Sequence, residues 1–451
     1  MPSRLEEIVK AYDIRGIVPD QLNASIARDV GAAFVRCVDA GQVVIGHDMR
    51  ESSPGLAAAF AEGATAQGAD VIAIGLASTD LLYFAAGHLD VPGAMFTASH
   101  NPARYNGIKL CRAGAAPVGQ DTGLADIRSM VEQGVPAYDG SPGSVSERDL
   151  LPDYASYLKD LVTGIRSIRP LKVVVDAGNG MGGLTVPAVL DDLPLTVTPM
   201  YFELDGSFPN HEANPIEPAN LVDLQAKVVE TGADLGLAFD GDADRCFVID
   251  ELGAAVSPSA LTALIATREL ARAPGSSVIY NLITSHAVPE IVREYGGVPV
   301  RSRVGHSFIK ATMAETGAVF GGEHSGHFYF RDFWRADSGM LAALHVIAAL
   351  GGQDEPLSVV VERFSRYESS GEINSEVDDQ AAATAAVRAE FAGEDGATVD
   401  ELDGLTVELA DGSWFNLRPS NTEPLLRLNV EATTAAGVDA LRDRVLAIVR
   451  R

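Results

Sequence analysis

The chain has 451 residues, 47% of them hydrophobic, and a formal net charge of −28 from 34 Lys and Arg against 62 Asp and Glu. That acidity excludes nucleic acid or an anionic membrane as the main partner, since both require a basic footprint. It leaves room for a small anion in a locally cationic cleft.

The length exceeds what one core can bury and predicts roughly three or four domains. No run reaches the ~18 apolar residues of a membrane span. The mixed-charge start MPSRLEEIVKAYDIRG is unlike a secretory signal. The three cysteines, Cys37, Cys111 and Cys246, are too few and too scattered for a disulfide framework or a metal knuckle. The expected location is therefore the cytoplasm.

In chain order, QVVIGHD (42–48) predicts a strand, SPGLAAAFAEGATAQG (53–68) a helix with Pro54 near its start, and ADVIAIG (69–75) a second strand. The alternation resumes with LKVVVDAGNG (171–180) and ADLGLAFDGD (233–242). It comes a third time with SSVIYN (276–281), a helix near 286–295, GVPVRSR (297–303) and a helix near 306–316. Such alternation implies parallel sheets with crossover helices. Glycine-, proline- and serine-rich stretches at 135–149, 250–259 and 365–376 mark the joints. Beyond the last joint come a helix near 379–392, strands around a loop, and a closing helix over about 436–450. The predicted fold class is thus three successive α/β domains, 1–146, 147–253 and 254–368, with mixed sheets, and a smaller α+β domain over 369–451.

Five stretches carry chemistry. AYDIRGIVP (11–19) holds Tyr12 and Arg15, and AMFTASHNPARYNGIKL (94–110) places Ser99 beside His100, with Lys109 ten residues on. In LAFDGDADRCFVID (237–250) an apolar strand ends in Asp240, Asp242 and Asp244, followed by Arg245. Carboxylates this dense repel one another unless a cation compensates, and an all-oxygen set suits a hard ion such as Mg²⁺. VFGGEHSGHFYF (319–330) sets Glu323, Ser325 and His327 in a glycine-flanked loop, an inventory suited to sugar hydroxyls. FNLRPSNTEPLLRL (415–428) joins Arg418 to Ser420, Asn421 and Thr422, a natural phosphate cradle.

Rival readings exist for two motifs. The acidic loop also fits an EF-hand with Glu251 as its bidentate acid, or a phosphatase with an aspartyl nucleophile. Gly178, Gly180 and Gly183 match the dinucleotide fingerprint of an oxidoreductase.

Taken together, YDIRG, TASHNP with NGIK, DGDADR, GEHSGH and RPSNTEP resemble the α-D-phosphohexomutase family, and in the expected order along the whole chain. The resemblance implies a heart-shaped, four-domain enzyme with a central cleft and a mobile fourth domain. It interconverts hexose 6-phosphates and hexose 1-phosphates through a phosphoserine and a 1,6-bisphosphohexose, which also serves as activator. The resemblance makes Ser99 the phosphoserine and gives Mg²⁺ the ligands Asp240, Asp242, Asp244 and Ser99. Glu323 and Ser325 match the sugar loop, and Arg418, Ser420, Asn421 and Thr422 the distal phosphate loop. Tyr12, Arg15, His100, Lys109, Arg245, His306 and His327 match further cleft positions, with His100, Lys109 and His306 as candidates for proton transfer.

The sugar loop resembles the mannose enzymes, with glucose and glucosamine phosphates as alternatives. Nucleic acid and membrane are absent from the expected partners, and the expected state is a monomer or weak homodimer. A non-catalytic sugar-phosphate sensor keeps the cleft without the relay. Two positions depart from the family pattern: Ile283 and Arg303 stand where relatives carry lysine.

Overall fold

A computed structural model describes residues 4–419 and 425–450, the side chains of Arg4, His306 and Ser307 excepted. Its strands form four sheets. The first runs, edge to edge, Ile14–Ile17, Tyr105–Cys111, Gly93–Phe96, Gln42–His47, Asp70–Leu76 and Val145–Glu147. The second runs Ala255–Val256, Cys246–Asp250, Leu235–Phe239, Leu171–Asp176 and Leu195–Met200. The third is Val298–Ser302, Ser277–Asn281, Phe320–Gly322, Phe328–Phe330 and Ala336–Asp337. The fourth, antiparallel throughout, is Glu368–Glu376, Leu425–Ala432, Trp414–Pro419, Leu405–Glu408 and Thr398–Asp400.

The helices follow the pattern read from sequence. Ser53–Ala66 is alanine-rich with proline in its first turn, where no N–H partner is lost. Ala287–Glu294, His306–Thr316, Gln380–Phe391 and Ala435–Val449 fall where periodicity puts them.

The mixed sheets expected of the first three units are what the structure shows. Each of the first three sheets has a parallel part, such as Gln42–His47 against both Asp70–Leu76 and Gly93–Phe96. Each also turns antiparallel through a consecutive strand pair: Gly93–Phe96 with Tyr105–Cys111, Leu235–Phe239 with Cys246–Asp250, and Phe320–Gly322 with Phe328–Phe330. Apolar strands read alike in either sense, because strand direction is set by the length of the connection. Two expected joints also contain strands. Val145–Glu147 pairs with Asp70–Leu76, so the boundary at 146/147 cuts a strand. Ala255–Val256 pairs with Cys246–Asp250 in the second sheet, on the far side of the 253/254 boundary.

The consecutive antiparallel pairs position the site. The stretches 97–104, 240–245 and 323–327 are the connections inside those pairs. Ser99 and His100, the three aspartates with Arg245, and Glu323, Ser325 and His327 thus stand in strand-to-strand connections, while Lys109 lies on the strand Tyr105–Cys111.

The first three units share a continuous apolar core that includes Leu82, Phe84, Tyr154, Val173, Phe320 and Met340. The fourth has its own, built on Val387, Phe391, Phe415, Leu428 and Val445. Within the shared core Asp80 ties three units together. Its buried carboxylate accepts from Tyr154 Oη and Ser338 Oγ, both at 2.7 Å, and from the Ser78 hydroxyl.

Burial pushes Asp80 up to about 6, while the three hydroxyls pull it down. A carboxyl raised above its unfolded value of ~3.9 contributes stability fully below that value and loses it as pH rises through about 6. Tyr154→Phe removes a donor to the ionised form. It should therefore cost about 1–3 kcal/mol at pH 8 and less at pH 5. Urea denaturation at both pH values checks this, and an equal or larger loss at pH 5 contradicts it.

Candidate active site

Ser99 stands in the loop after Gly93–Phe96 with φ of 50°, a left-handed backbone that a serine rarely adopts. Its N–H donates to Thr97 Oγ1 at 2.9 Å, and its hydroxyl donates to Asp240 Oδ2 at 2.8 Å, with His100 Nδ1 3.2 Å away. Asp240, Asp242 and Asp244 are all buried, and each offers an oxygen within 4.8 Å of the others. The two loops fit only because residue 241 is glycine: a Cβ there would lie 2.4 Å from the Ser99 carbonyl oxygen.

The glycine run after Leu171–Asp176 serves the same contact. A Cβ at Gly180 would sit 2.6 Å from the Gly241 carbonyl, which Met181 N–H caps at 2.9 Å. Gly180 braces the acidic loop, and a Cβ at Gly183 would lie 2.1 Å from the Phe202 carbonyl oxygen, so packing against protein backbone accounts for the glycines of the dinucleotide reading. The EF-hand reading fails as well, since the Glu251 carboxylate is taken by Ser358, including its N–H at 3.0 Å.

Cations face the carboxylates from two sides. Lys109 Nζ bridges Asp242 Oδ2 at 2.7 Å and Asp244 Oδ2 at 2.6 Å. Burial alone would lower the lysine, but those two carboxylates hold it well above its ordinary value, so it is an ammonium. Burial would likewise raise Asp244, but Lys109 and then His327 keep it well below the carboxylate range. Asp240 makes no ion pair with the lysine and is raised, by burial first and then by Asp244 and Asp242.

Arg245 reaches across three loops. Its Nη2 donates to His100 Nδ1 at 2.8 Å, its Nε to His327 Nε2 at 3.3 Å, and Nε lies 3.5 Å from Asp240 Oδ2. A guanidinium only donates, so His100 accepts at Nδ1 and keeps its proton on Nε2. The Arg245 charge, then burial, hold His100 well below its ordinary value, so it stays neutral.

The third loop is joined to the second by backbone, with Cys246 N–H on the Gly326 carbonyl at 3.2 Å. Glu323 is buried and accepts from Gly305 N–H at 3.0 Å and Tyr329 Oη at 2.6 Å. The Ser325 hydroxyl pairs with His327 Nδ1 at 2.9 Å. Tyr12 comes from the first unit to meet Gly305, where a Cβ would lie 2.9 Å from its hydroxyl. Arg15 pairs with Asp13 at 2.5 Å and donates to the Asn101 side chain. Arg418 lies 3.5 Å from Glu372 Oε2, with a buried Nε that has no hydrogen-bond partner. Ser420, Asn421 and Thr422 and the His306 side chain lie outside the described residues. Of the two departures, Ile283 is buried at the seam between the third and fourth units, and Arg303 is exposed with its guanidinium over the Phe308 ring at 4.7 Å.

Sequence reasoning missed two supporting residues. Thr79 holds Asp242 through its hydroxyl at 2.6 Å and its N–H on the Asp242 carbonyl at 3.0 Å. Tyr329 orients Glu323. Neither stands in a recognisable motif, though Ser78 and Asp80 around Thr79 form a visible helix-capping run.

The donor set fits a hard divalent ion. Asp242 Oδ1 is buried without a hydrogen-bond partner, an acceptor position that protein donors leave open. With Asp240 and Asp244 alongside and Ser99 Oγ at 2.8 Å, these four residues would hold Mg²⁺.

A serine hydroxyl against a buried acidic cluster that fits a divalent ion, with arginine and lysine beside it between α/β units, defines a phosphoryl-transfer cleft. Family models for phosphoglucomutase/phosphomannomutase α/β/α domains I, II and III match residues 6–135, 152–253 and 257–367, and that for the C-terminal domain matches 372–448. The chain is 44% identical to a protein of Xanthomonas campestris named for phosphohexose mutases, over 94% of both chains. It is 41% identical to a phosphomannomutase of Salmonella montevideo, again over 94% of both. A solved phosphoglucomutase/phosphomannomutase family protein from Burkholderia thailandensis superposes with a TM-score of 0.88 at 33% identity, covering 100% of this chain and 98% of that one. The chain belongs to the phosphoglucomutase/phosphomannomutase family.

Lys109 occupies the same carboxylates that an ion would use. Lys109→Met should tighten Mg²⁺ binding roughly tenfold or more, and Asp242→Asn should weaken it, both read by titration calorimetry on the purified protein. Unchanged or weaker binding by the Lys109 variant contradicts the competition.

Proposed function

We propose that this protein is a phosphomannomutase, interconverting mannose 6-phosphate and mannose 1-phosphate through phosphorylated Ser99 and a 1,6-bisphosphohexose. The observation that carries the proposal is the 2.8 Å contact between Ser99 Oγ and Asp240. It sets an otherwise weak nucleophile at the edge of a buried cation site, where a phosphoryl group it carried would be neutralised.

In this reading a sugar hydroxyl attacks phosphorus on Ser99, the bond from phosphorus to Ser99 Oγ breaks, and a bisphosphate forms. After the intermediate turns end for end, Ser99 Oγ takes back the other phosphoryl group. When bound, Mg²⁺ would supply charge neutralisation at the transferring group from Asp240, Asp242 and Asp244. Lys109, kept an ammonium by Asp242 and Asp244, serves as a fixed positive charge toward the transferring oxygens. Arg245 adds a second positive charge and keeps the His100 Nδ1 lone pair engaged, which argues against His100 as base at that atom.

Glu323 is oriented by Gly305 and Tyr329 with acceptor capacity to spare, and Ser325 stands beside it. Gripping hydroxyls roughly midway along the sugar lets one loop accept either orientation. Arg418, with Ser420, Asn421 and Thr422, is the proposed grip on the phosphate that is not reacting. Tyr12, Arg15 and His306 complete the cleft in the same reading, and a trace of 1,6-bisphosphohexose primes Ser99.

The mannose preference draws on relatives named phosphomannomutase at 38–41% identity, against 36% for one named phosphoglucomutase, from Neisseria gonorrhoeae. Glucose phosphates are the second substrate class, since the two sugars differ only at C2. No helix among the described residues is long and apolar enough to cross a membrane. The proposed setting is the cytoplasm, as a monomer or weak homodimer working on free hexose phosphates.

Ser99→Ala should remove turnover on mannose 1-phosphate while leaving the melting temperature within a few degrees of the parent. Intact mass should show one phosphoryl group on the parent and none on the variant. Near-normal turnover by Ser99→Ala ends the phosphoserine proposal. Comparing kcat/KM on mannose, glucose and glucosamine 1-phosphates, each with a trace of its bisphosphate, tests the sugar assignment.

A further inference from the structure

Arg50 lies outside every motif described above, yet its side chain is only 1% exposed and all five of its N–H donors are committed. Nε donates to Asp48 Oδ2 at 3.1 Å. Nη1 donates to the carbonyl oxygens of Pro102 and Tyr105 at 3.0 and 3.1 Å. Nη2 donates to those of Ser99 and Asn101 at 2.9 and 2.7 Å. One guanidinium therefore gathers three carbonyls of the serine loop, including that of Ser99 itself, and the first carbonyl of the strand that follows it.

Asp48 is fixed in turn by the Arg50 N–H at 3.0 Å and the Ser53 hydroxyl at 2.5 Å. From the second unit, the Phe208 ring lies 5.1 Å from the guanidinium carbon, and Gly206 packs so closely that a Cβ there would lie 2.6 Å from Arg50 Cα.

Buried carbonyls demand partners, and the loop has no helix or sheet ladder for those of Ser99 and Asn101. That of Pro102 also accepts from Tyr105 N–H at 3.0 Å, and Tyr105 opens the strand Tyr105–Cys111. The loop also holds Ser99 at a φ of 50°, which persists only where surroundings over-determine it. The planar five-donor fork matches that need, whereas a lysine offers a point charge and three donors.

We propose that Arg50 is a positioning residue for phosphoryl transfer. It holds the Ser99 backbone so that Oγ meets the aspartate cluster, and it acts through the loop without touching the sugar. The proposal rests on the reading of Ser99 as the phosphoryl carrier. Because its contacts are to the loop and not to the sugar-binding side chains, its loss should slow transfer and leave hexose phosphate binding in place.

The test uses the full chain, dephosphorylated, mixed with glucose 1,6-bisphosphate and quenched, with phosphoserine formation followed by intact mass. Equilibrium binding of mannose 6-phosphate is measured by calorimetry in parallel. Arg50→Lys should slow Ser99 phosphorylation about 100-fold, the scale of a displaced reacting group, with the sugar-phosphate Kd changed less than about threefold. Phe208→Leu, which loosens the guanidinium from the second unit without removing a donor, should slow it several-fold and keeps the test open if Arg50→Lys does not fold.

Phosphorylation at the parent rate in either folded variant overturns the proposal. So does a parallel loss of rate and binding, which would mark a purely structural role. A parent protein that never acquires the phosphoryl group overturns the Ser99 reading instead, so the two failures are distinguishable.

Discussion

Three buried carboxylates held beside one serine hydroxyl set the terms for the rest of this structure. Asp240, Asp242 and Asp244 have almost no solvent to screen them, and an uncompensated charge in such a place is strongly unfavourable. Lys109 answers two of the three and Arg245 leans toward the other. The lysine comes from the first sheet, the arginine from the acidic loop itself. Separating the first and second units would leave the aspartates without the lysine, so the charge balance of the site also fastens its two halves together. The same imbalance leaves Asp242 Oδ1 open, the feature that makes the cluster fit for a divalent ion.

The scaffold solves the placement problem with one device used repeatedly. In each of the first three sheets a parallel part carries the helices, and a consecutive antiparallel pair carries the chemical loop. The loops then meet through backbone. Gly241 lies against the Ser99 carbonyl, and Cys246 N–H bonds to the Gly326 carbonyl. Both meeting points require glycine by distance: a Cβ at Gly241 would enter the Ser99 carbonyl, and one at Gly326 would lie 2.5 Å from the Phe247 ring. Behind the loops, Asp80 and its hydroxyl donors lock the supporting helices of three units.

The fourth unit is joined differently. It has a separate apolar core, and its contacts with the third are largely polar. The Glu431 carboxylate accepts from His286 N–H at 2.9 Å, Val304 N–H donates to Asp403 at 3.1 Å, and Arg301 pairs with Asp400. Polar contacts of this kind resemble transient interfaces and let domains move relative to one another. That suits a cleft which, in the proposed reaction, must admit a sugar and let a bisphosphate turn.

Much of this was legible in the chain. The helices and strands of the first three quarters follow periodicity and turn chemistry, and the local crowding of Asp240, Asp242 and Asp244 announces a cation site from spacing alone. Ser99, Lys109, Glu323 and Arg245 stand in stretches whose composition already marks them. Strand direction, the short strands inside the glycine-rich joints, and the support given by Thr79, Tyr329 and Arg50 were not legible. Each depends on residues distant in sequence: Thr79 meets Asp242 across 163 positions, and Arg50 meets Ser99 across 49. The sequence by itself determined which groups are available and how far apart along the chain they sit. Only the tertiary structure decided which of them share a charge, a carbonyl or a cleft, because those pairings arise from packing between loops that no local preference encodes.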